Sequence, residues 1–388
     1  MNDELVDPRA THGEAAPEAG SAAFAREAQP ARGRSMISFA RGAPAPECLA
    51  VDLLADCARA AVERDPSVLA YGPGGGYGPL REWLAARHRV DPARVILTNG
   101  GLQGIAFVFE ELLEQRPGRV LVEGPTYDRP LKLLARLGAE VVPLPMDDEG
   151  LDPDALEQEL RAAASFLYTI PTFQNPSGRS LSVERRRRLV ELAVAHDVPV
   201  LEDDPYGRVR YEGQPPPTLH ELEGGERVLY TSSFSKTVAP GLRIGWFVLP
   251  SALAARIEER AVSTYISPPF ITQATVFELV DRDAYEPNLE RIRELLRARR
   301  DAMLAALDRE LRGRAAWNRP EGGYFLWVEL PAETAPLLAR AEDAGVTFVK
   351  GSDFFPGGRG GERSARLAFS YETPSSIDAG VSLLASLL

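Results

Sequence analysis

The feature that most constrains the fold is a regular alternation of short apolar runs with amphipathic stretches between residues 94 and 249. The short runs have the length of buried strands, and the stretches between them repeat apolar residues at helical spacing. Such alternation predicts a mostly parallel sheet covered by helices, and hence an α/β fold. Seven strands are predicted, at 94–98, 119–123, 140–144, 165–170, 198–203, 227–232 and 244–249, with helices at 102–114, 130–137, 153–163 and 183–196.

Charge and cysteine usage exclude several classes of protein. The formal net charge of −12 argues against a nucleic-acid-binding surface, and the arginine run 185–188 lies in a helical pattern that predicts a solvated face. Cys48 and Cys57 form no disulfide framework or metal motif, so no metal is expected. No apolar run approaches the roughly 20 residues of a membrane span, and the N-terminus lacks a secretory pattern. A cytoplasmic protein without membrane or nucleic-acid partners is therefore expected.

The stretch 232–246 carries the most specific chemistry. It places Lys236 among small hydroxyl residues, with Arg243 seven residues later. A lysine in this setting suits Schiff-base chemistry with a carbonyl cofactor, and the hydroxyls and the arginine suit that cofactor's phosphate. The stretch resembles S-x-S-K-x-x-x-P-G-x-R-x-G-W, the lysine signature of fold-type I pyridoxal-phosphate (PLP) enzymes in the class I/II aminotransferase family.

The resemblance covers roughly residues 36 to 385 and is closest to the kynurenine/2-aminoadipate branch. It implies PLP as cofactor and transfer of an amino group from an L-amino acid to a 2-oxo acid by a ping-pong mechanism, in amino acid metabolism or biosynthesis. It also implies one antiparallel strand in the large sheet and a small α+β domain, in keeping with a long helical pattern at 288–312 and short strands after it. The predicted organisation is a mobile N-terminal extension at 1–34, a segment at 35–70 that joins the small domain, a large PLP-binding domain at 71–285 and a small C-terminal domain at 286–388.

The resemblance assigns each part of the cofactor to a residue. Lys236 would bind the aldehyde and move the proton at the substrate Cα, with its pKa lowered by its surroundings. In the D-x-x-Y element, Asp203 would hold the ring nitrogen and Tyr206 the phenolic oxygen; Glu202 and Asp204 compete with Asp203 on charge alone, and the spacing to Tyr206 decides. Two further expected contacts are Asn175 of N-P-S-G, which would donate to the phenolic oxygen, and Tyr127, which would stack on the ring.

A phosphate site is predicted where residues 98–104 precede an apolar helix, because the first N–H groups of a helix bind anions. Its members would be Gly100, Gly101, Leu102, Ser233, Ser235 and Arg243. The branch often carries G-S-Q-Q here, so Gly101 and Leu102 leave backbone donors only.

Substrate contacts and a dimer follow from further matches. Arg366 would clamp the substrate α-carboxylate with its planar guanidinium, beside the backbone of Gly42 and Asn175, and Tyr324 would line the side-chain pocket. Tyr71 opens a glycine-rich stretch that follows no strand, so a dinucleotide site is rejected. It resembles Y-x-x-x-x-G-x-x-x-L-R, whose tyrosine reaches the neighbouring subunit's phosphate, and this implies a homodimer with shared active sites.

Several alternatives stay open. One scaffold hosts lyases, racemases and oxidases as well as aminotransferases. A regulator of the MocR type is disfavoured by the short polar segment before residue 36, and a non-catalytic PLP-binding protein by the complete residue set. Lys350 is either exposed or a contact for an acidic substrate, and the amino donor and acceptor are not determined.

Overall fold

The structure is a computed structural model and describes residues 36–388. A large eight-stranded sheet lies at the centre of these residues. The predicted mobile extension at 1–34 lies outside them. The strands are β1 Ile37–Ser38, β2 Val95–Thr98, β3 Arg119–Gly124, β4 Glu140–Asp147, β5 Gly150–Leu151, β6 Ala164–Thr169, β7 Val200–Asp203, β8 Val228–Ser233, β9 Gly245–Val248, β10 Ala316–Trp317, β11 Phe325–Glu329, β12 Val346–Thr347, β13 Val349–Lys350 and β14 Ser364–Ala368.

Helices connect these strands and cover the large sheet. They are α1 Val51–Arg64, α2 Gly78–His88, α3 Gly101–Gln115, α4 Asp128–Arg136, α5 Pro153–Glu159, α6 Val183–Ala195, α7 Leu219–Glu223, α8 Ser251–Tyr265, α9 Phe270–Asp281, α10 Tyr285–Leu311, α11 Thr334–Ala344 and α12 Pro374–Ser386. Among the residues described, no helix has the length and apolar character needed to cross a membrane.

The large sheet has the strand order β2-β9-β8-β7-β6-β3-β4-β5. Its central strands run parallel, and β9 is antiparallel to both of its neighbours. All seven predicted strands are present, which confirms the α/β class. The sheet has eight strands, one more than the seven predicted. The additional strand is β5, which pairs antiparallel with β4 after the chain reverses between Asp147 and Gly150 (φ +93°). A two-residue strand is too short to leave a periodic signal.

Side chains alternate between the two faces of the large sheet, as pleating requires. Ile96 and Leu201 belong to the apolar cluster under α3 and α8, whereas Leu97 and Val200 belong to clusters on the other face. Both faces are therefore buried, and this explains why the strands are continuously apolar in sequence.

The C-terminal residues build a four-stranded sheet in the order β10-β11-β14-β13. Its middle pair is antiparallel and sets Arg366 opposite Trp327. The predicted joining segment 35–70 divides its contacts. Its strand β1 pairs with β12, whereas its helix α1 packs on α9 beside the large sheet.

Candidate active site

The predicted functional residues gather at the carboxyl edge of the large sheet, where open α/β sheets bind ligands. Asp203 ends β7, Ser233 ends β8, and the loops after β3 and β6 carry Tyr127 and Asn175. A cavity of about 330 Å³ opens there. The predicted residues that line it are Gly42, Gly101, Leu102, Tyr127, Asn175, Asp203, Tyr206, Ser233, Ser235, Lys236, Arg243 and Arg366.

Lys236 lies in the turn after β8, and its side chain is enclosed. Its Nζ donates a hydrogen bond of 2.8 Å to the carbonyl oxygen of Gly42. Burial lowers the pKa of Lys236 to about 8, and the nearby guanidinium groups of Arg366 and Arg243 act in the same direction. A Cβ on Gly42 would lie 2.8 Å from the Phe325 ring, so a glycine lets this backbone approach the lysine.

Two acidic residues, Glu202 and Asp203, end β7 and a third, Asp204, follows the strand, and the three have different surroundings. Asp203 lines the cavity, whereas Glu202 accepts hydrogen bonds from the backbone N–H groups of Leu219 and His220. Burial raises the pKa of Asp203 to about 7, against a lowering hydrogen bond from Tyr168. The geometry thus brings Asp203, and not its two acidic neighbours, into the cavity.

The first turn of α3 forms the floor of the predicted phosphate site. Gly100 caps the helix at φ +85° without a side-chain cap, which leaves the first N–H groups of the helix available. A Cβ on Gly100 would lie 2.1 Å from the guanidinium of Arg243. Ser233 and Ser235 join by a hydrogen bond of 2.7 Å between their hydroxyls. Hydroxyl, guanidinium and helix N–H donors therefore converge, which is the donor set that a phosphate ester requires.

Arg366 has a fixed position in the middle of β14. Its Nη1 donates to Oδ1 of Asn175 at 3.1 Å and its Nη2 to the carbonyl oxygen of Ala40 at 2.7 Å. The guanidinium carbon lies 4.4 Å from the ring centre of Phe325 and 5.1 Å from that of Phe354. Its Nε is buried and has no partner among the described residues. A planar group held in this way presents a defined edge to a carboxylate.

The predicted tyrosines have different environments. Tyr127 and Tyr206 line the cavity, and burial raises the pKa of both hydroxyls, that of Tyr127 to about 12. Tyr324 instead packs behind Lys236, with its hydroxyl 3.0 Å from that residue's backbone carbonyl oxygen, and its neighbour Phe325 lines the cavity. Tyr71 is 80% exposed on the single chain and lies outside the cavity.

Lys350 does not line the cavity either. Its ammonium pairs with Asp353 at 3.2 Å, and its side chain is 30% exposed. Of the two interpretations of Lys350, the structure favours a surface lysine.

A buried hydrogen-bond network around Glu123 and Gln174 beneath the site, called the brace below, was not predicted from the sequence. Glu123, at the end of β3, accepts hydrogen bonds from Thr169 at 2.5 Å, from the N–H of Ile170 and from Gln174 at 3.0 Å. Gln174 also donates to the carbonyl oxygen of Pro125 at 2.7 Å. The brace joins the turn before Tyr127 to the loop that carries Asn175. A carboxylate at a strand end, inside an otherwise apolar run, is the signal that points to it.

Glu123→Leu is expected to lower the free energy of unfolding by about 2–4 kcal/mol, because several buried donors lose their acceptor. Glu123→Gln keeps one acceptor oxygen and should cost less than half as much. Thermal and denaturant unfolding of both apo variants would test this. Equal stability of Glu123→Leu and the wild type would show that the brace does not hold the loops.

The residues present fit PLP. The fit rests on the glycine-lined cradle at Gly100, on the hydroxyl and guanidinium donors beside it and on a buried lysine of lowered pKa in the same cavity. Gly245 adds to it, because a Cβ there would lie 2.4 Å from the backbone nitrogen of Gly101 and displace the start of α3.

Known proteins resemble this chain over most of its length. A model of the aminotransferase class I and II family matches residues 36–369. The chain is 34% identical over 367 residues to aromatic-amino-acid aminotransferase 1 of Thermococcus litoralis, over 91% of this chain and 88% of that protein. A solved α-aminoadipate aminotransferase of Thermus thermophilus, complexed with N-(5′-phosphopyridoxyl)-L-leucine, is 34% identical with a TM-score of 0.86, over 91% of this chain and 92% of that one. For the kynurenine aminotransferase of Pyrococcus horikoshii, in complex with PMP, KYN as substrates and KYA as products, the identity is 34%, the TM-score 0.87 and the coverage 91% of each chain.

Proposed function

We propose, since this chain belongs to the class I and II aminotransferase family, that the cavity around Lys236 is the site at which it exchanges amino groups. The protein is a PLP-dependent aminotransferase of fold type I, which moves the amino group of an amino acid to a 2-oxo acid by a ping-pong mechanism. The lyase, racemase and oxidase alternatives are not favoured by relatives that are named as aminotransferases. The observation that carries the proposed site is the presence of Lys236, Asp203 and Arg366 in one cavity.

Lys236 would hold the cofactor and move the proton. When bound, PLP supplies an aldehyde that joins the substrate amine and a ring that withdraws electrons from the bonds at Cα. With a pKa lowered to about 8, Lys236 has a neutral fraction near neutral pH, so its Nζ can accept the proton from Cα and return it. Asp203 would keep a proton at the ring nitrogen.

The other lining residues would orient the reactants. Arg366 would bind the substrate α-carboxylate through two of the N–H groups that its bonds to Asn175 and Ala40 leave free, and so fix the Cα–H bond relative to Lys236. Tyr206 and Asn175 would bind the phenolic oxygen, and Tyr127 would stack on the ring. The phosphate would bind at the first turn of α3 with Ser233, Ser235 and Arg243.

We propose donors with a large side chain, aromatic or branched. Three large apolar side chains, those of Ile105, Ile170 and Phe325, contribute to the lining of the cavity, and the Phe325 ring centre lies 4.4 Å from the guanidinium carbon of Arg366. The aromatic-amino-acid, α-aminoadipate and kynurenine substrates named for the relatives define the panel to test.

A half-reaction tests this function directly. The holoenzyme is mixed with one amino acid at a time, without any oxo acid, in air and under argon. The proposal predicts one equivalent of pyridoxamine phosphate and one of 2-oxo acid per site, at the same rate in both atmospheres, with tyrosine or leucine faster than alanine. Oxygen uptake, or turnover that leaves PLP unchanged, would contradict amino-group transfer; a preference for glutamate or 2-aminoadipate would contradict only the proposed side-chain class.

We also propose a homodimer with shared sites. Leu69, Tyr71, Val262 and Ile266 are all large apolar residues with 44–80% exposure. They come from neighbouring segments, because the N–H of Gly72 donates to Ser267 at 3.4 Å and a Cβ on Gly74 would lie 2.2 Å from Val262. An exposed apolar patch of this kind is typical of an association surface. Tyr71 within it would reach the phosphate in the partner subunit.

Tyr71→Phe is therefore expected to weaken PLP binding about tenfold, because one hydrogen bond to a charged phosphate is lost. The measurements are the apparent Kd for PLP and the mass in solution by light scattering, which should stay that of a dimer.

A co-expression experiment tests the sharing of sites separately. At limiting PLP, Lys236→Ala and Tyr71→Ala chains together should recover about a quarter of wild-type activity, since half of the dimers are mixed and one of two sites in each is intact. No recovery, or a wild-type monomer, would contradict the shared site.

We propose a cytoplasmic location and a role in amino acid metabolism, including biosynthesis. Cys48 and Cys57 are both buried and free, in keeping with a reducing compartment.

A further inference from the structure

The hydroxyl of Tyr168 lies against the carboxylate that we assign to the ring nitrogen of the cofactor. Tyr168 is on β6 and donates a hydrogen bond of 2.7 Å to Oδ2 of Asp203, at the end of β7. The two strands are parallel neighbours, and Tyr168 is opposite Leu201. Because residues two apart on a strand share a face, Tyr168 and Asp203 project from the same side of the sheet. Strand register, and not a flexible loop, therefore sets the contact.

The hydrogen bond from Tyr168 favours the ionised form of Asp203. Within residues 36–388, Tyr168 is the one side chain that donates a hydrogen bond to Asp203; the bond goes to Oδ2, and the carboxylate lines the cavity. Burial raises the pKa of Asp203 to about 7; the hydrogen bond from Tyr168 lowers it, Asp204 and Glu123 raise it, and Lys236 lowers it. Tyr127 and Tyr206 also lie within electrostatic reach of this carboxylate.

Tyr168 is a permanent donor. It is fully buried, and its ring packs edge-on against Phe109 at 5.7 Å between ring centres. Burial first, and then the negative charge of Asp203, raises the pKa of its hydroxyl well above the usual range, so the proton stays on the oxygen throughout the working pH range.

We propose that Tyr168 is a positioning residue for amino-group transfer. Its hydroxyl donates to Oδ2 of Asp203, which favours the anionic carboxylate and leaves Oδ1 to bind the ring nitrogen of PLP. An anionic Asp203 keeps the ring nitrogen protonated, and the ring then withdraws electrons best. The inference rests on the proposed function, which assigns Asp203 to that nitrogen.

A second tyrosine provides a matched control. Tyr230 is on β8, opposite Glu202, and its hydroxyl donates to Oδ2 of Asp204 at 3.1 Å. It is 6% exposed, against 0% for Tyr168. The pairs are similar in chemistry and burial, but Asp204 lies on the other face of the sheet and lines a different cavity. Removing the hydroxyl of Tyr230 therefore costs a comparable buried hydrogen bond and removes no direct contact of Asp203.

The experiment compares Tyr168→Phe and Tyr230→Phe as holoenzymes. For Tyr168→Phe we expect PLP affinity and kcat each to fall about tenfold, the loss of one hydrogen bond to a charged group. Since the lost hydrogen bond favoured the charged form, the pKa of Asp203 rises, and the acid limb of kcat/KM moves to higher pH by about one unit. Tyr230→Phe should leave PLP affinity and kcat close to those of the wild type, and its acid limb should not move to higher pH, because the loss of this donor favours the neutral form of Asp204 and so lessens the charge that raises the pKa of Asp203. The unfolding midpoints of the two apo variants should agree within a few degrees.

The possible results distinguish a positioning role of Tyr168 from a purely structural contribution to the stability of the fold. A lowered unfolding midpoint in Tyr168→Phe, with the PLP affinity and pH profile of the wild type, would overturn the proposal, as would equal effects of the two variants on PLP affinity. If the proposed function were wrong, the wild-type half-reaction would show it. The PLP affinity of the apo variants is measured without any amino acid, so it tests the role of Tyr168 independently of that reaction.

Discussion

Lys236→Ala is expected to lower kcat for amino-group transfer by about 10⁴-fold or more, because the substitution removes the residue that we propose as both the covalent anchor of the cofactor and the base at Cα. The amine lies inside the cavity, 2.8 Å from the carbonyl oxygen of Gly42, and burial lowers its pKa to about 8. Neither of the other two lysines of the chain, Lys132 and Lys350, lines that cavity. A single-turnover assay with a reactive amino acid measures the loss.

The controls use the same chemistry. Lys350→Ala removes a surface lysine that pairs with Asp353 and should leave kcat unchanged. A small primary amine such as methylamine should restore part of the activity of Lys236→Ala, since it can replace the missing base in the vacated space. A Lys236→Ala enzyme with a tenth or more of wild-type kcat would contradict the role of Lys236.

Arg366→Leu is expected to lower kcat/KM by roughly 10²- to 10⁴-fold, since it removes the partner that we propose for the buried substrate carboxylate, at a cost of about 3–5 kcal/mol. The guanidinium is held by hydrogen bonds to Asn175 and Ala40, and its carbon lies 4.4 and 5.1 Å from the ring centres of two phenylalanines, Phe325 and Phe354. Steady-state kinetics with an amino acid and with the corresponding amine, which lacks the carboxylate, measure the effect. The variant should lose discrimination between the two.

Two further variants serve as controls for Arg366→Leu. Arg366→Lys keeps the charge but not the two-pronged geometry, and we expect it to fall between the wild type and Arg366→Leu. Arg363→Leu removes a guanidinium near the start of the same strand that binds the backbone carbonyls of Leu330 and Pro331, and kcat/KM should change little. If Arg366→Leu retained the full preference for the amino acid over the amine, another residue would be the carboxylate clamp.

The fold was largely predictable because parallel strands that are buried on both faces are continuously apolar, and polar turn residues bound them. β6, β7 and β8 were found in this way, with small differences at their ends. Helix α9 escapes such a prediction because it is buried nearly all round. Gln273, Thr275 and Glu278 are as buried as its apolar residues, so the helix has no apolar stripe.

That Lys236 and Asp203 meet in one cavity was predictable, because both lie in motifs that resemble the family and both come at or just after the end of a strand. The site was not predictable where the outcome depends on side-chain direction. Tyr324 and Phe325 are adjacent aromatics, and only the structure distinguishes the one behind Lys236 from the one in the cavity wall. The contact of Tyr168 with Asp203 depends on which strands are neighbours and on their register, and a single sequence does not contain that information.

The central claim, that Lys236 binds PLP in this cavity, is tested most directly by reducing the holoenzyme with borohydride and mapping the peptides by mass. The chain contains only three lysines, so the result is unambiguous. We predict one phosphopyridoxyl group per chain, on the peptide that contains Lys236. A label on Lys132 or Lys350, or no covalent label on a protein saturated with PLP, would contradict the assignment of the site.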